Sequence, residues 1–120
     1  MANRDRRGAE RRGRRAERIA IWWLRIKGYR ILSLRYKCPL GEIDIIAQKG
    51  RVLAFIEVKQ RAEIASALQA VTPRSWQRIA RAADLWAGQT PSARALDWRF
   101  DLIAIAPGKW PRHNRDYWRP

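Results

Sequence analysis

The sequence predicts an α/β fold, in which a mixed β-sheet of about four strands is flanked by helices. Runs with helical periodicity and runs of β-branched and aromatic residues follow one another in the order helix, three strands, helix, strand. The stretch 41–61, GEIDIIAQKGRVLAFIEVKQR, has two apolar runs around a short polar turn, which is the pattern of a β-hairpin. The segment between this hairpin and the last strand is long enough for a parallel crossover, so we expect strands of both directions.

The first helix is predicted to begin near Gly8 and to strengthen from Arg14. Its apolar residues recur at i, i+3, i+4, i+7 and i+8: Ala16, Ile19, Ala20, Trp23 and Leu24. Gly28 is expected to end the helix, and residues 29–36 alternate as a first strand does. We predict three regions: a flexible basic arm at 1–12, an α/β domain at 13–106, and a basic and aromatic tail at 107–120.

Beyond the hairpin, residues 62–71 are compatible with a loop or a short helix. Thr72 and Pro73 then predict a helix start, with threonine as the N-cap and proline in the first turn. The apolar face of this helix is predicted to consist of Trp76, Ile79, Ala80, Ala83, Trp86 and Ala87. Residues 97–106, DWRFDLIAIA, predict a final and largely buried strand.

The chain is strongly basic, with 26 Lys and Arg residues against 11 Asp and Glu, a formal net charge of +15. Such a charge predicts a polyanionic partner, and nucleic acid is the first candidate. An arginine-rich, high-GC genome is the alternative explanation. The sequence has no apolar run of the roughly 20 residues that a membrane span needs, and it has one cysteine. We therefore expect no membrane association and a cytoplasmic location.

Charged residues interrupt both strands of the predicted hairpin. Asp44 lies in the first strand, and Glu57 and Lys59, two positions apart, share one face of the second. If the turn falls at 48–51, Asp44 lies beside Glu57. Buried charges are costly unless they are paired or bound to a metal ion, so this patch is the candidate site. A surface ladder of ion pairs is the alternative.

The same residues carry a resemblance to a known family. Asp44, a spacer of 12 residues and then Glu57-x-Lys59 resemble the active-site signature of the PD-(D/E)xK nucleases. GEIDIIA followed by FIEVKQR more closely resembles the YraN-like family of small bacterial proteins, which are similar to archaeal Holliday-junction resolvases. The resemblance covers roughly residues 8–106. It implies a restriction-endonuclease-like core with Asp44, Glu57 and Lys59 as catalytic residues.

The resemblance also implies a role for Glu17 in catalysis, because the family carries an Ala-Glu in its first helix, matched here by Ala16-Glu17. Helix geometry alone favours a surface glutamate paired with Arg14 or Arg15. The sequence departs from the family at Ser75, where many relatives have a lysine. If that lysine contacts phosphate, this chain lacks one such contact.

The predicted function is a metal-dependent endonuclease that hydrolyses phosphodiester bonds in DNA. Mg²⁺ or Mn²⁺ prefers hard oxygen ligands, which Asp44, Glu57 and the Val58 carbonyl supply. Lys59 is expected to orient water or stabilise developing charge. The resolvase kinship implies branched or junction DNA as substrate and a homodimer. RNA is a second partner that the charge allows. The alternatives are a non-catalytic nucleic-acid-binding protein of nuclease ancestry and a structural or assembly protein.

Further arginines are candidates for phosphate contacts. Three of them recur at i, i+4 and i+7 on the second long helix, where a solvated face is the alternative; the full set is Arg14, Arg15, Arg61, Arg74, Arg78 and Arg81. In the tail, Trp110 and Trp118 either stack on unpaired bases or cover a hydrophobic edge.

Three further residues are weaker candidates for chemistry. Asp101 is expected to form a structural ion pair with an arginine. His113 has no acidic partner in view, and Cys38 is expected to be an incidental thiol.

Overall fold

A computed structural model describes the backbone of residues 2–120 and the side chains of residues 13–120. The elements in chain order are α1 (Ala2–Ile26), β1 (Arg30–Cys38), β2 (Gly41–Lys49), β3 (Val52–Gln60), α2 (Ile64–Leu68), α3 (Pro73–Gly88), a 3₁₀ turn (Pro91–Ala95), β4 (Asp97–Ile105) and β5 (Arg112–Trp118). The strands form one sheet in the order β1-β2-β3-β4-β5. β3 and β4 are parallel, and every other neighbouring pair is antiparallel.

This architecture confirms the predicted fold class, a restriction-endonuclease-like mixed sheet flanked by helices, with five strands where about four were expected. The additional strand, β5, lies in residues 107–120, which we expected to be a tail. Its sequence RHNRDYW lacks an apolar alternation because its side chains are exposed or half-buried at the edge of the sheet. A strand of this kind is not marked by hydrophobic periodicity.

The two faces of the sheet bury separate apolar clusters. On one face, α1 packs the predicted residues Ala16, Ala20 and Leu24 against β2, β3 and β4. On the other face, α3 packs Trp76 and Ile79 together with other apolar residues against the sheet. The three-layer arrangement therefore follows from the apolar stripes of the two long helices.

Helix α1 begins at Ala2, earlier than the predicted start near Gly8. The arginines and alanines of this segment are strong helix formers. The side chains of residues 1–12 lie outside those described, and the flexibility of the basic arm stays a prediction. Gly28 ends the helix with φ = +92°, as predicted. Among the described residues, none of the helices has the length and apolar character needed to cross a membrane.

Two glycines fix the hairpin and its contact with α3. Gly50, with φ = +58°, lies in the two-residue turn between Lys49 and Val52, which are paired. The predicted turn position at 48–51 is thereby confirmed. Gly41 begins β2 where α3 approaches closely, and a Cβ atom there would lie 2.8 Å from the Arg78 carbonyl oxygen. These glycines set the register of β3 and the distance of α3 from it.

The start of α3 also follows the prediction. The Thr72 side chain accepts a hydrogen bond of 3.1 Å from the Ser75 N–H, and Pro73 occupies the first turn. The segment 62–71, which was compatible with a loop or a short helix, contains α2. These elements lie above the end of β3 that carries Glu57 and Lys59.

Candidate functional site

The hairpin register brings Asp44, Glu57 and Lys59 together. Ile45 of β2 pairs with Ile56 of β3, so the next positions outward are Asp44 and Glu57. The Lys59 Nζ lies 3.3 Å from Glu57 Oε1. The juxtaposition expected from the turn position is therefore present in the structure.

Asp44 takes the place of a backbone partner at the end of the ladder between β2 and β3. Its Oδ2 accepts a hydrogen bond of 2.8 Å from the Val58 N–H. The paired positions of these two strands run from Lys49–Val52 to Ile45–Ile56. The side chain thus satisfies a backbone donor and, through that bond, is held beside Glu57.

Burial opposes the ionisation of both carboxyl groups, and Asp44 further opposes that of Glu57. Burial and then the charge of Asp44 raise the pKa of Glu57 to about 8, although Lys59 partly offsets them. Burial likewise raises the pKa of Asp44, against the effect of the Val58 N–H. At neutral pH and without a cation, Glu57 therefore favours its protonated form.

Glu17 belongs to the same charged cluster, and its partner is Arg35. The Arg35 Nε donates to both oxygens of the buried Glu17 carboxylate, at 3.1 and 3.0 Å. The charge of Glu17 also acts to raise the pKa of Asp44, behind the larger effect of burial. The pairing with Arg14 or Arg15 that helix geometry favoured was wrong, because Glu17 faces β1 rather than solvent.

Arg35 was missed by the sequence analysis. It lies in β1 with φ = +52°, a left-handed conformation that is uncommon for a residue other than glycine. Such backbone strain is frequent at functional sites. In the sequence Arg35 is one arginine among many, and no local signal marks its contact with a helix 18 positions earlier.

A groove opens over Glu57 between the sheet and α3. It has a volume of about 390 Å³ and is lined by Lys37, Cys38, Gly41, Glu42, Glu57, Lys59, Ala70, Val71, Ser75, Arg78 and Ile79. Glu57 and Lys59 retain 12% and 30% of their side-chain exposure, so a ligand in the groove can reach both. Lys37 and Arg78 place two more cations in the lining. Lys37, Glu42 and Ser75 were not among the predicted site residues.

A second groove lies beyond Lys59. It has a volume of about 510 Å³ and is lined by Gly13, Val58, Lys59, Gln60, Arg61, Ala62 and Pro107. Lys59 is therefore shared by both grooves. The predicted phosphate-binding residue Arg61 lies in this second lining and is exposed.

The donors of the site fit a hard divalent cation. Among the described residues no group of three or more His, Cys, Asp or Glu side chains is placed to hold a metal ion. Mg²⁺ commonly uses only one or two carboxylates and completes its coordination with water and substrate oxygens. Asp44 and Glu57 provide two carboxylates. In an antiparallel ladder a residue directs its N–H and C=O to the same neighbour, so we expect the Val58 carbonyl to face the Asp44 side too.

The remaining predicted phosphate-binding arginines are all exposed, but only some of them line a groove. Arg78 lines the groove over Glu57, whereas Arg74 and Arg81 are not part of its lining. Arg15 borders a small cleft on α1. Arg14 is exposed on the same helix.

Asp101 forms the structural ion pair that the sequence predicted. Its carboxylate is fully buried and accepts two hydrogen bonds of 2.8 Å from Arg99. The Asp116 N–H donates to it at 2.9 Å, and His113 Nε2 lies 2.7 Å from its Oδ2. Burial opposes ionisation of this carboxyl, but the bonds from His113 and Arg99 outweigh burial and hold its pKa below the usual range.

The expectation that His113 has no acidic partner was wrong. Its partner Asp101 lies on β4, and the contact depends on β5, which the sequence did not predict. On its other side, His113 Nδ1 lies 2.8 Å from the Lys27 Nζ at the end of α1. None of these three residues lines the groove over Glu57. Cys38 does line it, with its Sγ donating to the Gly41 carbonyl oxygen at 3.4 Å.

The part of the chain that matches a known family contains the candidate carboxyl pair and its neighbours. Residues 16–105 match the sequence model of a family described as "Uncharacterised protein family UPF0102". A UPF0102 protein of Maricaulis maris (strain MCS10) is 49% identical over 117 residues, covering 98% of this chain and 92% of the relative. One of Caulobacter vibrioides (strain NA1000 / CB15N) is 54% identical over 110 residues, covering 92% and 88%. One of Rhizobium etli is 46% identical over 120 residues, covering 97% and 98%. The names of these relatives state no activity.

Proposed function

The chain belongs to the uncharacterised protein family UPF0102, in agreement with its YraN-like motifs, and we propose that it is a metal-dependent endonuclease that hydrolyses phosphodiester bonds in DNA. The observation that carries the proposal is the Asp44–Glu57 carboxyl pair, with Glu57 beside Lys59 in the lining of a groove. Burial raises the pKa of both carboxyl groups, and Asp44 raises that of Glu57 further, so the pair is poised to bind a cation.

The lining of the groove suits a phosphate group. The groove over Glu57 is lined by three cationic residues, Lys37, Lys59 and Arg78. Arginine and lysine hydrogen-bond phosphate oxygens, and arginine does so with a planar pair of donors. A substrate phosphate is therefore attracted to the groove although two carboxylates lie in its wall.

Asp44, Glu57 and the Val58 carbonyl would hold Mg²⁺ or Mn²⁺. Such a cation, when bound, neutralises charge on the phosphate and lowers the pKa of a water molecule. Glu57 must lose its proton to act as a ligand, and this becomes easier as the pH approaches the pKa of about 8. The Val58 N–H keeps the Asp44 carboxylate in place throughout.

Lys59 is placed to act on the reacting atoms. Its Nζ lies 3.3 Å from Glu57 Oε1, and its side chain is exposed to both grooves. An ammonium group at this position orients an attacking water by hydrogen bonding and stabilises the negative charge that develops on phosphate oxygens. We therefore assign Lys59 to orientation and electrostatic stabilisation.

Glu17, which Arg35 holds in place on the side of α1, adds its charge to the electrostatics of Asp44. The two hydrogen bonds from Arg35 fix the Glu17 carboxylate near Asp44. Glu17 thereby adds negative potential where the cation would bind and is a further candidate ligand through water. The strained backbone of Arg35 is consistent with this positioning role.

The charge of the chain supports a nucleic-acid substrate, and the resemblance to resolvases supports branched DNA. A resolvase cuts two strands, so this substrate class would require a homodimer. By the same resemblance the products would carry 5′-phosphate and 3′-hydroxyl ends.

Cleavage assays on a matched set of variants test the proposal. Linear, flapped and four-way DNA are incubated with wild type, Glu57→Gln and Glu42→Gln in Mg²⁺ or Mn²⁺. Glu42 is a suitable control because it is an exposed carboxylate in the lining of the same groove. We expect wild type and Glu42→Gln to cleave and Glu57→Gln to bind DNA without cleaving it. Equal metal-dependent cleavage by Glu57→Gln would refute the site, and salt-sensitive binding without cleavage by wild type would favour the non-catalytic alternative.

A further inference from the structure

Three tryptophan rings form a row on the outer side of α1. The ring centroids of Trp22 and Trp23 are 6.2 Å apart, and those of Trp23 and Trp110 are 5.8 Å apart. Trp110 lies in the connection between β4 and β5 and retains 73% of its exposure, and Trp22 retains 51%. Large aromatic side chains are usually buried, so an exposed row of them indicates a binding surface.

The structure gives different surroundings to Trp110 and Trp118, for which the sequence allowed either base stacking or the covering of a hydrophobic edge. Trp118 stacks on Trp76, with centroids 5.8 Å apart and an angle of 9° between the rings, and covers the edge of the α3 core. Trp110 contacts Trp23 of α1 and leaves most of its ring open to solvent. Trp110, and not Trp118, is therefore available to a ligand.

The surroundings of the row are basic. Exposed cationic residues flank the three rings: Arg15, Arg18 and Arg25 on α1 and Lys109 beside Trp110. Residues 18–29 and 106–112, which carry the rings, contain no aspartate or glutamate. A cleft of about 330 Å³ lined by Arg15, Arg18, Ile19 and Trp22 adjoins the row. The surface therefore combines aromatic rings with unneutralised positive charge.

We propose that Trp22, Trp23 and Trp110 form a stacking platform for the unpaired bases of a nucleic-acid strand. Bases stack on aromatic side chains while neighbouring arginines contact the backbone phosphates, and this combination does not depend on base sequence. A second copy of the chain fits this surface poorly, because a symmetric dimer through it would place two basic patches against each other.

The platform is separate from the candidate site but shares α1 with it. Glu17 contacts Arg35 of β1 at one edge of the sheet. Trp23 contacts the connection to β5, the opposite edge strand. The groove over Glu57 lies on the α3 side of the sheet, opposite to α1, so an unpaired strand that reaches both surfaces must pass around the edge of the sheet. A substrate that combines duplex with an unpaired segment could engage both surfaces in this way, and this extension to flapped or branched DNA rests on the proposed function.

Binding measurements without divalent cations test the platform independently of cleavage. Fluorescence anisotropy in EDTA compares a short oligothymidine, an abasic strand with the same number of phosphates, and a duplex. The test variant is Trp22→Leu/Trp110→Leu, and the matched control Trp22→Tyr/Trp110→Tyr retains aromatic rings. Both positions are exposed, so thermal unfolding should confirm that both variants are folded.

We expect the leucine variant to bind oligothymidine at least about tenfold more weakly than wild type, because leucine offers no ring on which a base can stack. Binding of the abasic strand and the duplex should change by no more than about twofold, as the phosphate contacts are unaltered. The tyrosine variant should retain most of the affinity for oligothymidine.

The platform would be refuted if the leucine variant bound the abasic strand as much more weakly as it bound oligothymidine, or if its binding of oligothymidine were unchanged. It would also be refuted if the variant lost only self-association or binding to anionic lipid vesicles. If wild type failed to cleave DNA while the leucine variant still lost affinity for oligothymidine alone, the result would count against the proposed nuclease function and not against the platform.

Discussion

Glu57 lies at a strand position where burial and the neighbouring Asp44 carboxylate both oppose its ionisation. Ionised Glu57 is therefore unfavourable in the metal-free protein, and the carboxyl group keeps its proton up to a pH of about 8. A bound cation would remove that cost by offsetting both charges. The arrangement is therefore unfavourable for stability alone and favourable for cation binding.

This cost predicts the pH dependence of stability. In the unfolded chain Glu57 titrates near its ordinary value of 4.5, and in the folded protein near 8. Between these values the folded state binds more protons than the unfolded state, so the free energy of unfolding falls as the pH rises. In EDTA, the melting temperature of Glu57→Gln should therefore exceed that of wild type by a margin that grows from pH 5.5 to 8.5. Thermal unfolding across this range measures it, and a margin that is constant with pH would contradict the raised pKa of Glu57.

Asp101 shows how a buried carboxylate behaves when it is satisfied. It accepts hydrogen bonds from Arg99 and from the Asp116 N–H, and it contacts His113, which joins β4 to β5. Arg99 and Asp116 line a groove of about 520 Å³, but the Asp101 carboxylate itself is fully buried and is not part of that lining. We therefore propose a structural role for Asp101.

Replacing Asp101 by Asn should lower the free energy of unfolding by roughly 3–5 kcal/mol, the usual cost of breaking a buried ion pair from one side. The matched control is Asp97→Asn on the same strand, where the side chain is 75% exposed and lies 4.0 Å from Arg51. Urea titrations measure both variants. Equal stability of the two would contradict the structural role, and so would a loss of activity per folded molecule in Asp101→Asn without a loss of stability.

At the residue scale, local patterns predicted some contacts and could not predict others. Asp44 and Glu57 were placed side by side because a hairpin register follows from the position of its turn. Arg35 with Glu17 and His113 with Asp101 join different elements, and their pairing depends on how those elements pack. No spacing in the sequence distinguishes Arg35 from the other arginines.

At the scale of elements, the hairpin and α3 were predictable because each carries its own boundary signals. Gly50 marks the turn, and Thr72 with Pro73 marks the helix start. β5 carries no such signal because it is a polar edge strand held by Asp101. The start of α1 was placed too late because Gly8 was taken as a boundary, although the preceding arginines support a helix.

The approach of α3 to β2 at Gly41 sets the width of the groove and decides which arginines reach it. Arg78 lies at this contact, with its Nε 3.4 Å from the Leu40 carbonyl oxygen, and lines the groove. Arg81, one turn further along the helix, is exposed and does not line it. Of the arginines predicted to form one phosphate-binding stripe on α3, Arg78 therefore lines the groove and Arg81 does not.

Arg78→Ala should therefore weaken binding of duplex DNA about tenfold, as expected for a charged hydrogen bond worth about 1.5 kcal/mol, and Arg81→Ala should weaken it less. Both substitutions remove one positive charge from the same helix, so their difference isolates the contact in the groove. Anisotropy titrations in EDTA measure both. If both variants lost the same affinity for DNA, the arginines of α3 would contribute only to the net positive charge and would form a solvated face of the helix.

At the scale of the molecule, the chain presents cations on both faces of one sheet. The groove under α3 contains Arg78, and the outer side of α1 contains Arg15 and the tryptophan platform. A net charge of +15 attracts any polyanion, so charge alone cannot distinguish a nuclease from a binding protein. What distinguishes them is whether the Asp44–Glu57 pair binds a divalent cation.

The most direct measurement is a calorimetric titration of Mn²⁺ into wild type, Glu57→Gln and Glu42→Gln, with and without DNA. The titration is made at a pH above the Glu57 pKa of about 8, where this carboxyl group is mostly ionised. We predict saturable binding by wild type and Glu42→Gln, loss of binding in Glu57→Gln, and weaker binding by wild type at pH 6, where Glu57 is protonated. Equal binding by wild type and Glu57→Gln, or no binding by wild type even with DNA present, would contradict the assignment of this carboxyl pair as a metal site.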